Sequence, residues 1–81
     1  MTNQKLRPDR DIGNNIRKLR KSCKLTQEQV VAKLQLEGID ISRSVYSRYE
    51  ICQLNIRVSE LIAMKKIFNC KYEDFFDGLE I

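Results

Sequence analysis

Apolar residues recur along the chain at three- and four-residue spacings, in runs separated by short polar stretches, and this pattern predicts helices. Ile12, Ile16, Leu19 and Cys23 lie four, three and four residues apart. That is the period of one helix face. Arg17, Lys18, Lys21 and Lys24 take the opposite side, and Asp9 or Asp11 is placed to cap the start. A second run opens at Thr26-Gln27-Glu28-Gln29, a Thr-x-x-Gln capping box, and continues through Val30, Val31 and Leu34, with Ala32 beside them. Gly38 closes it, because glycine enters the left-handed conformation at little cost. Ser42 can cap a third helix of about two turns, Arg43 to Glu50, that turns Tyr46 and Tyr49 inward. From about Val58, the residues Leu61, Ile62, Met64, Ile67 and Phe68 give a fourth helix with Lys65 and Lys66 outward. Asn69 follows as a residue able to turn left-handed, and Tyr72 to Phe76 predicts a short fifth helix. The expected fold class is all-α, five helices and no strand.

The third helix carries the most informative surface. Arg43, Ser44, Ser47 and Arg48 sit at offsets of zero, one, four and five, so their side chains project together from the first turn and a half. A guanidinium group bridges the O6 and N7 of guanine, and a serine hydroxyl meets several base edges or a phosphate. An ordinary solvated helix face has the same composition.

Charge adds to the first of these readings. The net charge is +4 from 15 basic and 11 acidic residues, with no histidine. Glu73, Asp74, Asp77 and Glu80 gather beyond residue 71 without a base among them, so residues 1–71 carry all 15 bases against seven acids, a net +8. A basic body with an acidic end suits a polyanion, since phosphate neutralisation releases condensed counterions. Residues 1–10 read as a flexible basic arm whose Lys5, Arg7 and Arg10 either touch phosphate or, the reading favoured for each alone, form a basic tail with no role, and residues 11–81 as a single domain. Cys23, Cys52 and Cys70 are odd in number and widely spaced, which specifies neither a disulfide framework nor a usual zinc site. Buried cysteines in a reducing cytosol are expected. No apolar run approaches the roughly 18 residues that span a bilayer, and no signal-peptide core is present, so a soluble, cytoplasmic protein is expected.

Taken together, Leu25-Thr26-Gln27-Glu28, Ser42-Arg43-Ser44 and Ser47-Arg48-Tyr49-Glu50 resemble the Cro/repressor-type, lambda-repressor-like helix-turn-helix family of small bacterial and phage DNA-binding regulators. With the flanking helices the resemblance covers about residues 11–76. It implies a compact five-helix DNA-binding domain whose recognition helix, about 43–50, enters the major groove with Arg43, Ser44, Ser47 and Arg48 at base edges. It implies phosphate contacts from Gln27 and from Gln53, Asn55 and Arg57, and a structural pair between Arg20 and Glu50. Phe75 and Phe76 resemble the closing apolar pair of the family and would complete the core or a dimer contact.

Two stretches depart from the family pattern. Leu36-Glu37-Gly38-Ile39-Asp40-Ile41 is longer than the tight turn of the shortest members and resembles a subgroup in which Ile39 and Ile41 plug the core. Ile51-Cys52-Gln53 lacks the glycine favoured after the recognition helix, so a different ending is expected there.

The implied function is a sequence-specific, double-stranded DNA-binding transcriptional regulator, a repressor, acting as a homodimer without cofactor or metal. The competing reading is an antitoxin-like or anti-regulator module that holds a protein partner on the same fold, with Val45, Val58 or Phe75-Phe76 as contact. An enzyme is disfavoured: no histidine, activated nucleophile or paired acid set is written in the sequence.

Overall fold

Five helices, α1 (Pro8–Ser22), α2 (Gln27–Leu36), α3 (Arg43–Glu50), α4 (Val58–Phe68) and α5 (Tyr72–Phe75), follow one another with no strand among the described residues. The computed structural model describes residues 8–79, the side chains of residues 8–11 excepted. The expected contacts of Lys5 and Arg7, and the side chains of Asp9, Arg10 and Asp11, fall outside that range. α1 begins at Pro8, a residue suited to the first helical position because its missing N–H would have no partner there. Helix therefore already runs through Pro8–Arg10, within the stretch read as an arm.

The caps follow from local chemistry. Thr26 Oγ1 accepts from Gln29 N at 3.1 Å while Gln29 Oε1 accepts from Thr26 N at 2.8 Å, closing the capping box of α2. Ser42 Oγ accepts from Val45 N at 3.2 Å to open α3. The Glu60 carboxylate accepts from Arg57 N at 2.9 Å to open α4, and Asn69 ends it at φ 52°, in the left-handed region expected of it. Cys52 does the same after α3, at φ 64°, with Gln53 N donating to Arg48 O at 2.9 Å. The expectation of a different ending is thus corrected: the left-handed turn forms without glycine, at a conformational cost of about 1–2 kcal/mol.

α1 packs against α3 and α5, and α2 against α3 and α4. The core they enclose is Ile16, Val30, Val31, Leu34, Ile41, Tyr46, Tyr49, Ala63, Met64, Phe68 and Phe75. Ile41 is buried and Ile39 half-buried, so the long turn does plug the core; Gln35 Nε2 braces it by donating to Ile41 O at 3.0 Å. Periodicity over-assigned two positions: Ala32 and Ile62 are exposed, Ile62 because the wall of the core is completed by Ala63 and Met64 beside it.

α5 has only four residues, too few to hold by its own hydrogen bonds. Phe75 is fully buried, which contributes about 1.5–3 kcal/mol. The buried Asn15 donates from Nδ2 to Phe75 O at 2.8 Å and to Asp77 O at 2.9 Å, tying the chain end to α1. Phe76 is 44% exposed, so the two phenylalanines divide: one belongs to the core, the other to the surface.

Candidate nucleic-acid interface

α3 is half sunk into the body. Tyr46, Tyr49 and Glu50 are buried, whereas Arg43, Ser44 and Arg48 are exposed and Ser47 is half-buried at their edge. Ser47 Oγ donates to Ser44 O at 2.9 Å, leaving its oxygen lone pairs as acceptors toward solvent. The four residues chosen from spacing therefore share the outer side of the helix.

The inner side is fixed by charge. Arg20 on α1 donates from Nε to Glu50 Oε2 at 2.6 Å and from Nη2 to Glu50 Oε1 at 3.1 Å, a forked pair whose side chains are only 12% and 2% exposed. Arg20 Nη1 also donates to Leu25 O at 2.9 Å, in the turn before α2. Gln27, the first residue of α2, donates from Nε2 to Glu50 Oε1 at 3.0 Å. One carboxylate thus gathers α1, α2 and α3. Burial alone would raise the Glu50 pKa, but the hydrogen bonds from Arg20 and Gln27, with the Tyr46 hydroxyl close by, outweigh it and hold the group below the usual carboxylate range. The Glu50 bond in turn raises Arg20. Tyr46 Oη is buried beside this cluster without a hydrogen bond of good geometry, and burial, with the Glu50 carboxylate, pushes its pKa well up. Gln27, expected at phosphate, has committed its amide to this junction; its backbone N–H still lies at the α2 N-terminus.

A second buried bond steadies the other edge of α3. Tyr49 Oη donates to the Glu60 carboxylate, 2.9 Å from Oε1 and 3.0 Å from Oε2. Burial and this bond push the Tyr49 pKa up to about 12. Glu60 therefore caps α4 and binds α3 with the same carboxylate.

The segment between α3 and α4 alternates regularly. Cys52, Leu54 and Ile56 are half-buried, while Gln53, Asn55 and Arg57 are exposed. The three predicted phosphate ligands are thus all open to solvent, while the residues between them are turned toward the body. Arg17, Lys18, Lys21 and Lys24 of the first helix and its following turn are exposed as well.

Two features of the site were not read from sequence. Gly13 lies where α1 crosses the end of α3: a Cβ there would stand 2.3 Å from Tyr49 O and 2.6 Å from Cys52 Sγ. Glycine in a helix is ordinarily unfavourable, and that local cost was the only available signal. Glu28, in the first turn of α2, has its Oε2 4.0 Å from Arg43 Nη1; nothing in the spacing of either residue pointed to the other.

The family pattern described as "Helix-turn-helix" matches residues 16–75, most of the chain and all of this site but Gly13. Among solved structures, the crystal structure of the restriction-modification controller protein C.AhdI from Aeromonas hydrophila is similar at a TM-score of 0.69 and 22% identity. The match covers 83% of this chain and 94% of that one, a likeness of fold. No curated protein matches the chain in sequence.

Proposed function

The chain belongs to the Cro/repressor-type helix-turn-helix family of DNA-binding transcriptional regulators, and on that premise we propose that it binds a specific double-stranded operator as a homodimer and represses transcription by occupying it. The observation that carries the reading is the division of α3. Its inner face is locked by Arg20, Gln27 and Glu60, and its outer face offers Arg43, Ser44, Ser47 and Arg48 to a major groove. A reading helix must be held rigidly while its reading groups stay unburied, and this helix meets both conditions. Gln53, Asn55 and Arg57, all exposed, take phosphate and set the register. Gln27 contributes through its backbone N–H at the start of α2 rather than through its amide.

One domain with two arginines reads only a few base pairs, each good bidentate pair contributing about 1–3 kcal/mol of discrimination. Two copies on half-sites about 34 Å apart supply the rest. Exposed apolar side chains support the pairing: Val58 and Ile62, four apart on α4, share a strip with Lys65, whose ammonium lies 5.1 Å from the centre of the exposed Tyr72 ring. The same strip is what a protein partner would use under the competing reading.

Selection from a random duplex pool at about physiological salt, with sequencing of the retained DNA, tests the proposal. Enrichment of an inverted repeat with half-sites one helical turn apart is expected. A well-folded protein that enriches nothing, yet co-purifies with a stoichiometric protein, would replace operator binding by the interaction reading.

A further inference from the structure

We propose that Glu28 is a specificity-determining residue: its carboxylate repels backbone phosphate and orients the Arg43 guanidinium, so that it favours the cognate sequence over random DNA. The inference rests on the operator-binding reading above and asks which group disciplines its arginines.

The first turns of α2 and α3 meet at this place. Glu28 is the acid in the first turn of α2, Arg43 is the first residue of α3, and α3 has no acid in its own first turn. Glu28 Oε2 and Arg43 Nη1 are 4.0 Å apart, with the two side chains 73% and 61% exposed. The pair is loose and wet, so it costs little to break and biases the guanidinium without fixing it. It differs in this from the Arg20–Glu50 pair, which is short and buried.

Two consequences follow from a carboxylate in that position. Duplex approaching the start of α2 brings phosphates toward Glu28, and like charges repel whatever the base sequence. Non-specific binding, which is almost wholly electrostatic, therefore bears the full penalty. In a specific complex the same carboxylate lies behind the guanidinium rather than in front of it. It narrows the rotamers of a long, flexible side chain, so fewer conformations are lost when Arg43 forms a two-point contact with a base. Repulsion and orientation act in opposite directions on cognate DNA and in one direction on random DNA.

The experiment measures binding of the full chain and of Glu28→Gln, Arg43→Ala and the double variant to two duplexes at about physiological salt. One is the sequence enriched from the random pool by the unaltered protein, the other its scrambled counterpart. Glu28→Gln is expected to tighten the scrambled duplex about two- to fivefold, the size of an exposed ion-pair effect, and to leave the cognate duplex unchanged or weaker. The cognate-to-scrambled ratio then falls by about the same factor. With Ala at position 43, adding Glu28→Gln should leave the ratio unchanged, because the orienting effect acts through Arg43. Equal tightening on both duplexes, no change on either, or an undiminished fall in the Arg43→Ala background would each overturn the proposal. Failure of the unaltered protein to enrich any sequence would instead overturn the operator-binding reading on which it stands. Glutamine keeps the shape of glutamate and leaves the Thr26–Gln29 cap intact, so an unchanged melting curve confines the effect to the interface.

Discussion

The two ends of α3 are built on opposite principles. At its C-terminal end Glu50 is almost fully buried and receives hydrogen bonds from two other helices. At its N-terminal end Arg43 is exposed and meets Glu28 at the limit of ion-pair distance. Charge at the first end sets the orientation of the helix, and removing one partner strands the other in a low-dielectric site. Charge at the second end contributes little to the fold and remains available to something else. Stability and recognition are thus separated along eight residues.

The largest effect should come from breaking the buried end. Glu50→Ala should destabilise the fold by about 3–5 kcal/mol, because Arg20 is left without its carboxylate and Gln27 loses its acceptor. Thermal unfolding would register a fall of about 4–8 °C for each kcal/mol lost in a domain of this size. A melting temperature within error of the unaltered protein would refute the structural role of the pair. The same carboxylate gives a pH dependence. Its folded pKa lies below the ordinary value, so its contribution is complete above the unfolded carboxylate pKa and is lost as pH falls through the folded one. Stability should therefore decline on acidification below about pH 4–5, and Glu50→Gln should flatten that decline.

Next in size is the crossing of α1 over α3. Gly13→Ala puts a methyl group 2.3 Å from the Tyr49 carbonyl, a backbone atom that cannot step aside alone. Overpacking of this kind costs about 1–3 kcal/mol. Because α3 must shift to make room, DNA binding should fall with stability, a coupling that distinguishes this end from the exposed one. Chemical denaturation alongside a DNA retention assay checks both.

At the exposed end the expectation inverts. Arg43→Ala or Arg48→Ala should leave the melting curve within about 0.5 kcal/mol, as for other surface substitutions. Each should nevertheless relax base preference by about 1–3 kcal/mol at the position it reads. Arg57→Ala, at the exposed start of α4, should weaken all sequences alike and reduce the salt slope by about one unit. Equal losses on specific and random DNA for all three would remove the distinction between reading and anchoring groups.

How far the sequence disclosed this arrangement depends on the range of the interaction. The Thr26–Gln29 capping box, the Ser42 cap, the left-handed Asn69 and the outward Arg43 and Arg48 are decided within four residues, and local motif and periodicity found them. The Arg20–Glu50 pair spans 30 residues and was expected through family resemblance, not from spacing. Asn15, which bonds the backbone 60 residues away, and Gly13, which admits a carbonyl from another helix, gave no local sign of their partners. Gln27 was expected at phosphate through the same resemblance, but Glu50, 23 residues on, accepts its amide. Ile62 reads as core by period alone and is 47% exposed, since period fixes a face but not what covers it.

The smallest effect should be a gain. Lys24 holds φ 59° in the turn after α1, where Leu25 N donates back to Arg20 O at 3.2 Å. A non-glycine residue in that conformation costs about 1–2 kcal/mol, and glycine recovers it against about 0.5–1 kcal/mol of added unfolded-state entropy. Lys24→Gly should therefore raise stability by a few tenths to about 1 kcal/mol, read as a small upward shift in melting temperature. Cys52→Gly at φ 64° makes the matching test at the end of α3. There the gain should be smaller or absent, because the sulfur stands where α1 crosses at Gly13 and its packing would be lost. A gain at 24 without one at 52 would show that the turn beside the recognition helix keeps its strain in exchange for contact. Equal gains would mean that the Cys52 side chain contributes nothing to holding α3 in place.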